Sequence, residues 1–127
     1  MSDVVEKYKV QLRAFTEGNA LGTELNSKDE VSKAIVSGYE NLHAAMAING
    51  EIQILLSPVD SSNISHVGWL PEFDDAPSEM FVVFKNSGIY GYLKVELAKY
   101  LTFMNSDSKG KYLNSQIKPS YDFTRYL

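Results

Sequence analysis

The chain contains no cysteine. Disulfides, thiolate metal centres and cysteine nucleophiles are therefore excluded. Histidine is almost as scarce: only His43 and His66 are present, too few for a histidine-rich metal site. No apolar run approaches the roughly 20 residues a helix needs to span a bilayer. The N-terminal residues are charged and lack the apolar stretch of a signal peptide, so a cytoplasmic protein is expected. Also missing are a phosphate-binding P-loop, a G-x-S-x-G elbow and an H-E-x-x-H helix. Asp74 and Asp75 are adjacent, so their side chains diverge in an extended loop and do not form a metal pair. Glu40 stands at the wrong distance from His43 for a zinc-protease pattern, and His43 reads as a structural residue. The expectation is a protein with no catalytic set, metal or cofactor.

What the chain does contain is a core and an uneven charge. Its 127 residues make one domain's worth of chain, and 44% hydrophobic residues suffice for one core. The net charge of −4 divides unequally. Residues 1–78 hold five basic side chains against twelve acidic ones, whereas residues 79–127 hold seven against four. The second half can thus present an anion-binding end on an otherwise acidic protein.

In the first half, Val5, Tyr8, Leu12 and Phe15 recur at helical spacing, which predicts a helix over about 3–16. Gly18-Asn19 breaks it, and Gly22-Thr23-Glu24-Leu25-Asn26 reads as a loop. Ser27 and Glu30 have capping-box spacing. Val31, Ile35, Leu42 and Met46 supply an apolar face, predicting a second helix over about 28–48 that ends at Asn49-Gly50. Glu51 to Leu55 alternates and is β-branched, as a strand would be.

The second half is richer in strand signals. Asn63–Trp69 alternates; Met80–Lys85 has the highest β propensity in the chain; Ile89–Val95 returns after the short connection Asn86-Ser87-Gly88. Period 2 puts Tyr90 and Tyr92 on one face, where packing with the hydroxyls at the rim is the expected role. Ile89, Gly91, Leu93 and Val95 are assigned to the other face. Glu96–Met104 has helical periodicity, and Asp107 or Ser108 caps a short helix ending near Ile117. The aromatic tail from Ser120 to Leu127 is expected to pack back on the sheet. The fold class predicted is α+β: a small antiparallel meander of three or four strands packed with helices. The predicted division is a helical extension over 1–58 and a module over 59–127.

Several of these residues, taken in order, resemble the KTSC domain family, a short module named after the C-terminal region of some lysyl-tRNA synthetases. The matching elements are Ser61-Ser62-Asn63-Ile64, Val67-Gly68-Trp69, the strand through Phe84, Ser87-Gly88, the Y-x-Y at Tyr90-Gly91-Tyr92 and the S-K-G-x-Y-x-N from Ser108 to Asn114. Ile117 and Tyr121 complete the pattern. The resemblance covers residues 61–126, about half of the chain. It departs from the family after Y-x-Y, where Val95 is followed by Glu96 and not by proline. The resemblance implies a stand-alone bacterial or phage protein, and RNA binding by analogy with the synthetase context.

On the residues themselves, the leading functional expectation is a non-enzymatic protein that binds RNA, single-stranded nucleic acid or a nucleotide. Tyr90, Tyr92 and Tyr112 are candidates to stack bases; Lys94, Lys109, Lys111, Lys118 and Arg125 are candidates to meet phosphates; Ser108 adds a donor at a helix start. The alternative is a protein-interaction module that docks on a host or partner protein, as a monomer or homodimer.

Overall fold

The computed structural model describes residues 8–16, 19–25, 30, 44–49, 52–85 and 88–127. Its strands are β1 (Val10–Thr16), β2 (Asn19–Leu25), β3 (Ala44–Ile48), β4 (Ile52–Pro58), β5 (Ile64–Leu70), β6 (Glu79–Phe84), β7 (Gly88–Leu93) and the three-residue β8 (Phe123–Arg125). They form one antiparallel sheet in the order β2-β1-β3-β4-β5-β6-β7-β8. Two short helices, α1 (Leu97–Met104) and α2 (Lys109–Tyr112), lie between β7 and β8. The protein is therefore mostly β, and the expected α+β class with an N-terminal helical extension is incorrect.

The error lies in the first half. Residues 10–16 are a strand, not part of a helix over 3–16, and residues 19–25 are its partner, not a loop. Tyr8, Val10 and Leu12 all face one core, which is the period of a strand. The same stretch also fits a helical template through Tyr8, Leu12 and Phe15, so periodicity alone could not decide. Residues 44–48 are likewise a strand, where a helix was expected. This alanine-rich segment is buried along its whole length, between β1 and β4. Tertiary context thus overrides alanine's helix propensity. Of the rest of the predicted second helix only Glu30 is described, and it is helical; His43 lies outside the described residues. Asn49, at φ 54°, turns the chain between β3 and β4 and is not a helix end. Its side-chain oxygen accepts from the Lys9 N–H at 2.9 Å.

The sheet curls. In a flat sheet, five strand spacings of about 4.8 Å would hold β1 and β7 roughly 24 Å apart. Yet Val10 and Leu12 of β1 share a core with Phe81 and Val83 of β6 and Ile89 of β7. The rings of Tyr8 and Tyr126 meet edge to face at 4.9 Å between centroids. The concave side of this half-barrel is the first hydrophobic core.

The second core lies on the convex side of β5–β7. β6 alternates between the two: Phe81 and Val83 point inward, whereas Met80, Val82 and Phe84 point to the helices. A register shift between Ile64 and His66 brings Ile64, Val67 and Trp69 onto the helix side together. Phe103 of α1 is fully buried there with Leu113 and Ile117. Burial of each such side chain stabilises the fold by about 1.5–3 kcal/mol. Leu113–Ile117 is a π-helical turn, closed by the Lys118 N–H donating to the Leu113 carbonyl at 2.9 Å. Pro119 follows, and the chain then returns as β8 against β7.

The strands expected in the second half are present. Two details differ. Lys94 adopts φ 66°, ending β7, so Val95 enters the helix-side core and not the face of Ile89. The expected helix to Ile117 is α only to Tyr112 and π thereafter.

Candidate nucleic-acid interface

Tyr90 and Tyr92 do share a face, and both pack. Tyr92 is buried in the helix-side core, and Tyr90 is half-buried at its edge. Burial, with a smaller contribution from the neighbouring Tyr90, pushes the Tyr92 hydroxyl up to about 12. Burial likewise raises that of Tyr100.

β8 builds a site around them. Its register places Arg125 opposite Tyr90 and Phe123 opposite Tyr92. The Phe123 ring lies 5.3 Å from Tyr90 and 6.1 Å from Tyr92, and Phe84 meets Tyr90 edge to face at 5.5 Å. Two cations cover this row of rings. Arg125 lies 5.6 Å above Tyr90, and the Lys118 Nζ lies 5.2 Å above Phe84. Each such contact contributes about 0.5–1 kcal/mol at an exposed site. Phe123, however, is 55% exposed. The result is an open aromatic face beside two cationic groups at the end of the sheet.

The structure brings together only part of the expected set. Tyr90, Tyr92, Lys118 and Arg125 meet at this patch. Ser108 caps α2, its Oγ accepting from the Lys111 N–H at 3.3 Å. Lys109 donates to the Ser106 carbonyl at 2.7 Å, and Lys111 is exposed on α2. Tyr112 packs on Phe103 under the Lys99 ammonium, 5.5 Å from its ring. Lys94 stands elsewhere, lining a cleft with Trp69. Phe84 and Phe123 were missed. The signal for Phe123 was present: Phe123 and Arg125 alternate as Tyr90 and Tyr92 do, but only the return of β8 sets the two pairs side by side.

On the concave face a different group was also missed. Between Tyr90 and Tyr92, Gly91 seats the Glu79 carboxylate, which accepts a short hydrogen bond from the Tyr126 hydroxyl. Burial raises the Glu79 carboxyl above its ordinary range, partly offset by that hydrogen bond. Burial and the nearby carboxylate both hold the Tyr126 hydroxyl far above its ordinary value, against a smaller opposite effect of Thr124. Among the described residues, no three His, Cys, Asp or Glu side chains are grouped to hold a metal ion.

The site is thus an aromatic and cationic surface on a curled antiparallel sheet. The family model of the KTSC domain matches residues 60–121. The crystal structure of a KTSC domain protein from Yersinia pestis is also similar, with a TM-score of 0.52 and 28% identity over 57% of this chain and 96% of that one. No curated protein matches the chain. Residues 60–121 therefore form a KTSC domain, which comprises β5 to β7 and both helices.

Proposed function

We propose that this protein is a non-enzymatic binding protein that takes single-stranded nucleic acid on the patch formed by Phe123, Tyr90, Lys118 and Arg125. The observation that carries the reading is Phe123: a ring 55% exposed, backed by Tyr90 and Tyr92 and flanked by the Arg125 guanidinium. A base stacks on such a ring whatever its sequence, while the cations meet the adjoining phosphates. Two phosphate contacts imply modest affinity with a clear salt dependence. The test is fluorescence anisotropy with short single-stranded RNA and DNA at low and moderate salt. Phe123→Ala is expected to weaken binding by about 1–3 kcal/mol, and Arg125→Glu with Lys118→Glu to abolish it. Lys94→Glu, at a side chain that lines the Trp69 cleft and not the patch, is expected to leave it unchanged. Absence of binding at low salt, where phosphate contacts are strongest, would exclude the reading.

A further inference from the structure

We propose that the cleft beside Trp69, with the apolar and acidic surface around it, is a docking site for a basic amphipathic segment of a partner protein. This surface is separate from the β8 patch and does not depend on the nucleic-acid reading. The cleft, of about 520 Å³, lies where β5 ends, α1 begins and the intervening loop returns. Trp69, Pro71, Pro77 and Leu97 give it apolar walls. Its floor is fixed. The Trp69 indole N–H and the Ser78 hydroxyl each donate to the Val95 carbonyl at 2.8 Å. The Trp69 ring also stacks on Tyr100 at 6.5 Å.

The surface continues outward on both sides. Phe73 follows the cleft residue Glu72 and is 73% exposed. Its backbone is held in a closed turn. Phe73 and Ala76 exchange both backbone hydrogen bonds, at 3.1 and 2.9 Å, across a turn in which Asp74 takes φ 54°. On the other side, Leu97 and Leu101 lie one helical turn apart on α1, and each is 48% exposed. Five large hydrophobic side chains are exposed among the described residues, and three of them are here. Exposed apolar side chains gathered within a polar rim mark interaction surfaces. A rigid turn lowers the ordering cost of using them.

Charge selects the occupant. Glu72, Asp74, Asp75 and Glu96 are all exposed around these residues, and among the described residues Lys94 is the one cation lining the cleft. Such a surface repels a polyanion and attracts lysine or arginine. Apolar anchors combined with carboxylates fit an amphipathic basic segment, laid along the cleft with its apolar face on Trp69, Leu97 and Phe73.

Trp69 is the chain's single tryptophan, so its fluorescence reports on the cleft alone. The full-length protein is titrated with a short amphipathic lysine–leucine peptide. A saturable change in Trp69 emission that weakens with salt is expected. Leu97→Lys with Leu101→Lys, and separately Glu72→Lys with Glu96→Lys, should each weaken it at least about tenfold. All four positions are exposed, and circular dichroism checks that the variants fold. Three results would overturn the proposal: no saturable change, equal binding of a glutamate–leucine peptide, or variants that bind like the parent. A single-stranded oligonucleotide that saturates the Trp69 signal would also overturn it, because the cleft would then take a polyanion. The nucleic-acid reading is decided separately, at Phe123.

Discussion

Replacing Gly91 by alanine tests how the two faces of β7 are built. A Cβ at this position would stand 1.8 Å from a Glu79 carboxylate oxygen and 2.9 Å from a carbon of the Tyr126 ring. Both distances are inside van der Waals contact, so at least one partner must move. The carboxylate is the end of a flexible side chain and can swing away, but it then loses the Tyr126 hydroxyl. A hydrogen bond to a charged group contributes about 1.5–3 kcal/mol. Alanine returns about 0.5–1 kcal/mol through the smaller entropy it loses on folding. The net expectation is a destabilisation of about 1–2 kcal/mol. For a domain this size that lowers the melting temperature by roughly 4–8 °C. Urea unfolding of the parent, Gly91→Ala, Tyr126→Phe and the double variant separates this account from simple crowding. If the alanine acts by expelling Glu79, the hydrogen bond is already gone and Tyr126→Phe costs little more, giving a coupling of about 1 kcal/mol or above. Additive effects, or a Gly91→Ala protein as stable as the parent, would refute the reasoning.

Glu79 also makes stability depend on pH. Its folded pKa is raised, so the folded state holds the proton more tightly than the unfolded state. Stability should therefore fall as pH rises above the ordinary glutamate value of 4.5 and level off once the folded carboxyl has ionised; Glu79→Gln should remove that slope in urea titrations. Tyr92 acts in the alkaline range. With its folded pKa up to about 12 against an ordinary 10.0, its contribution is intact below pH 10 and is lost as pH rises from there to about 12. Melting temperatures of the parent and of Tyr92→Phe across that window should converge in slope for the variant and fall more steeply for the parent.

The second half of the fold was legible because local and distant demands agree there. Met80–Phe84 is β-branched and aromatic, its two faces both meet a core, and Gly88 at φ 99° lets the chain reverse into β7. In the first half they diverge. Leu12 fits a helical stripe with Tyr8 and a strand face with Val10, and only pairing with β2 and β3 decides between them. Ala44–Ile48 carries residues that favour helices, yet it occupies the middle of the sheet. The site shows the same division. That Tyr90 and Tyr92 share a face follows from the period of a strand. That Lys118 covers Phe84 follows from a π turn that widens the chain just before Pro119, and no spacing rule announces such a turn. The Trp69 cleft was missed because its residues come from three separated segments.

The contact between Tyr8 and Tyr126 gives the curled sheet a seam. From β3 onward every pairing in the sheet joins consecutive strands, and all but the last close over short loops. The β7–β8 pairing is the exception, since both helices lie between. The seam must join the two extremes of the described chain. In free energy this is a mild demand, because each doubling of a loop adds only about 0.6 kcal/mol of closure cost. In order of events it is a strong one, since contacts that far apart along the chain are favoured only after the strands between them have zipped together. The concave core is thus completed only when the C-terminal residues arrive, and Tyr126 both closes it and, through Glu79, fastens it.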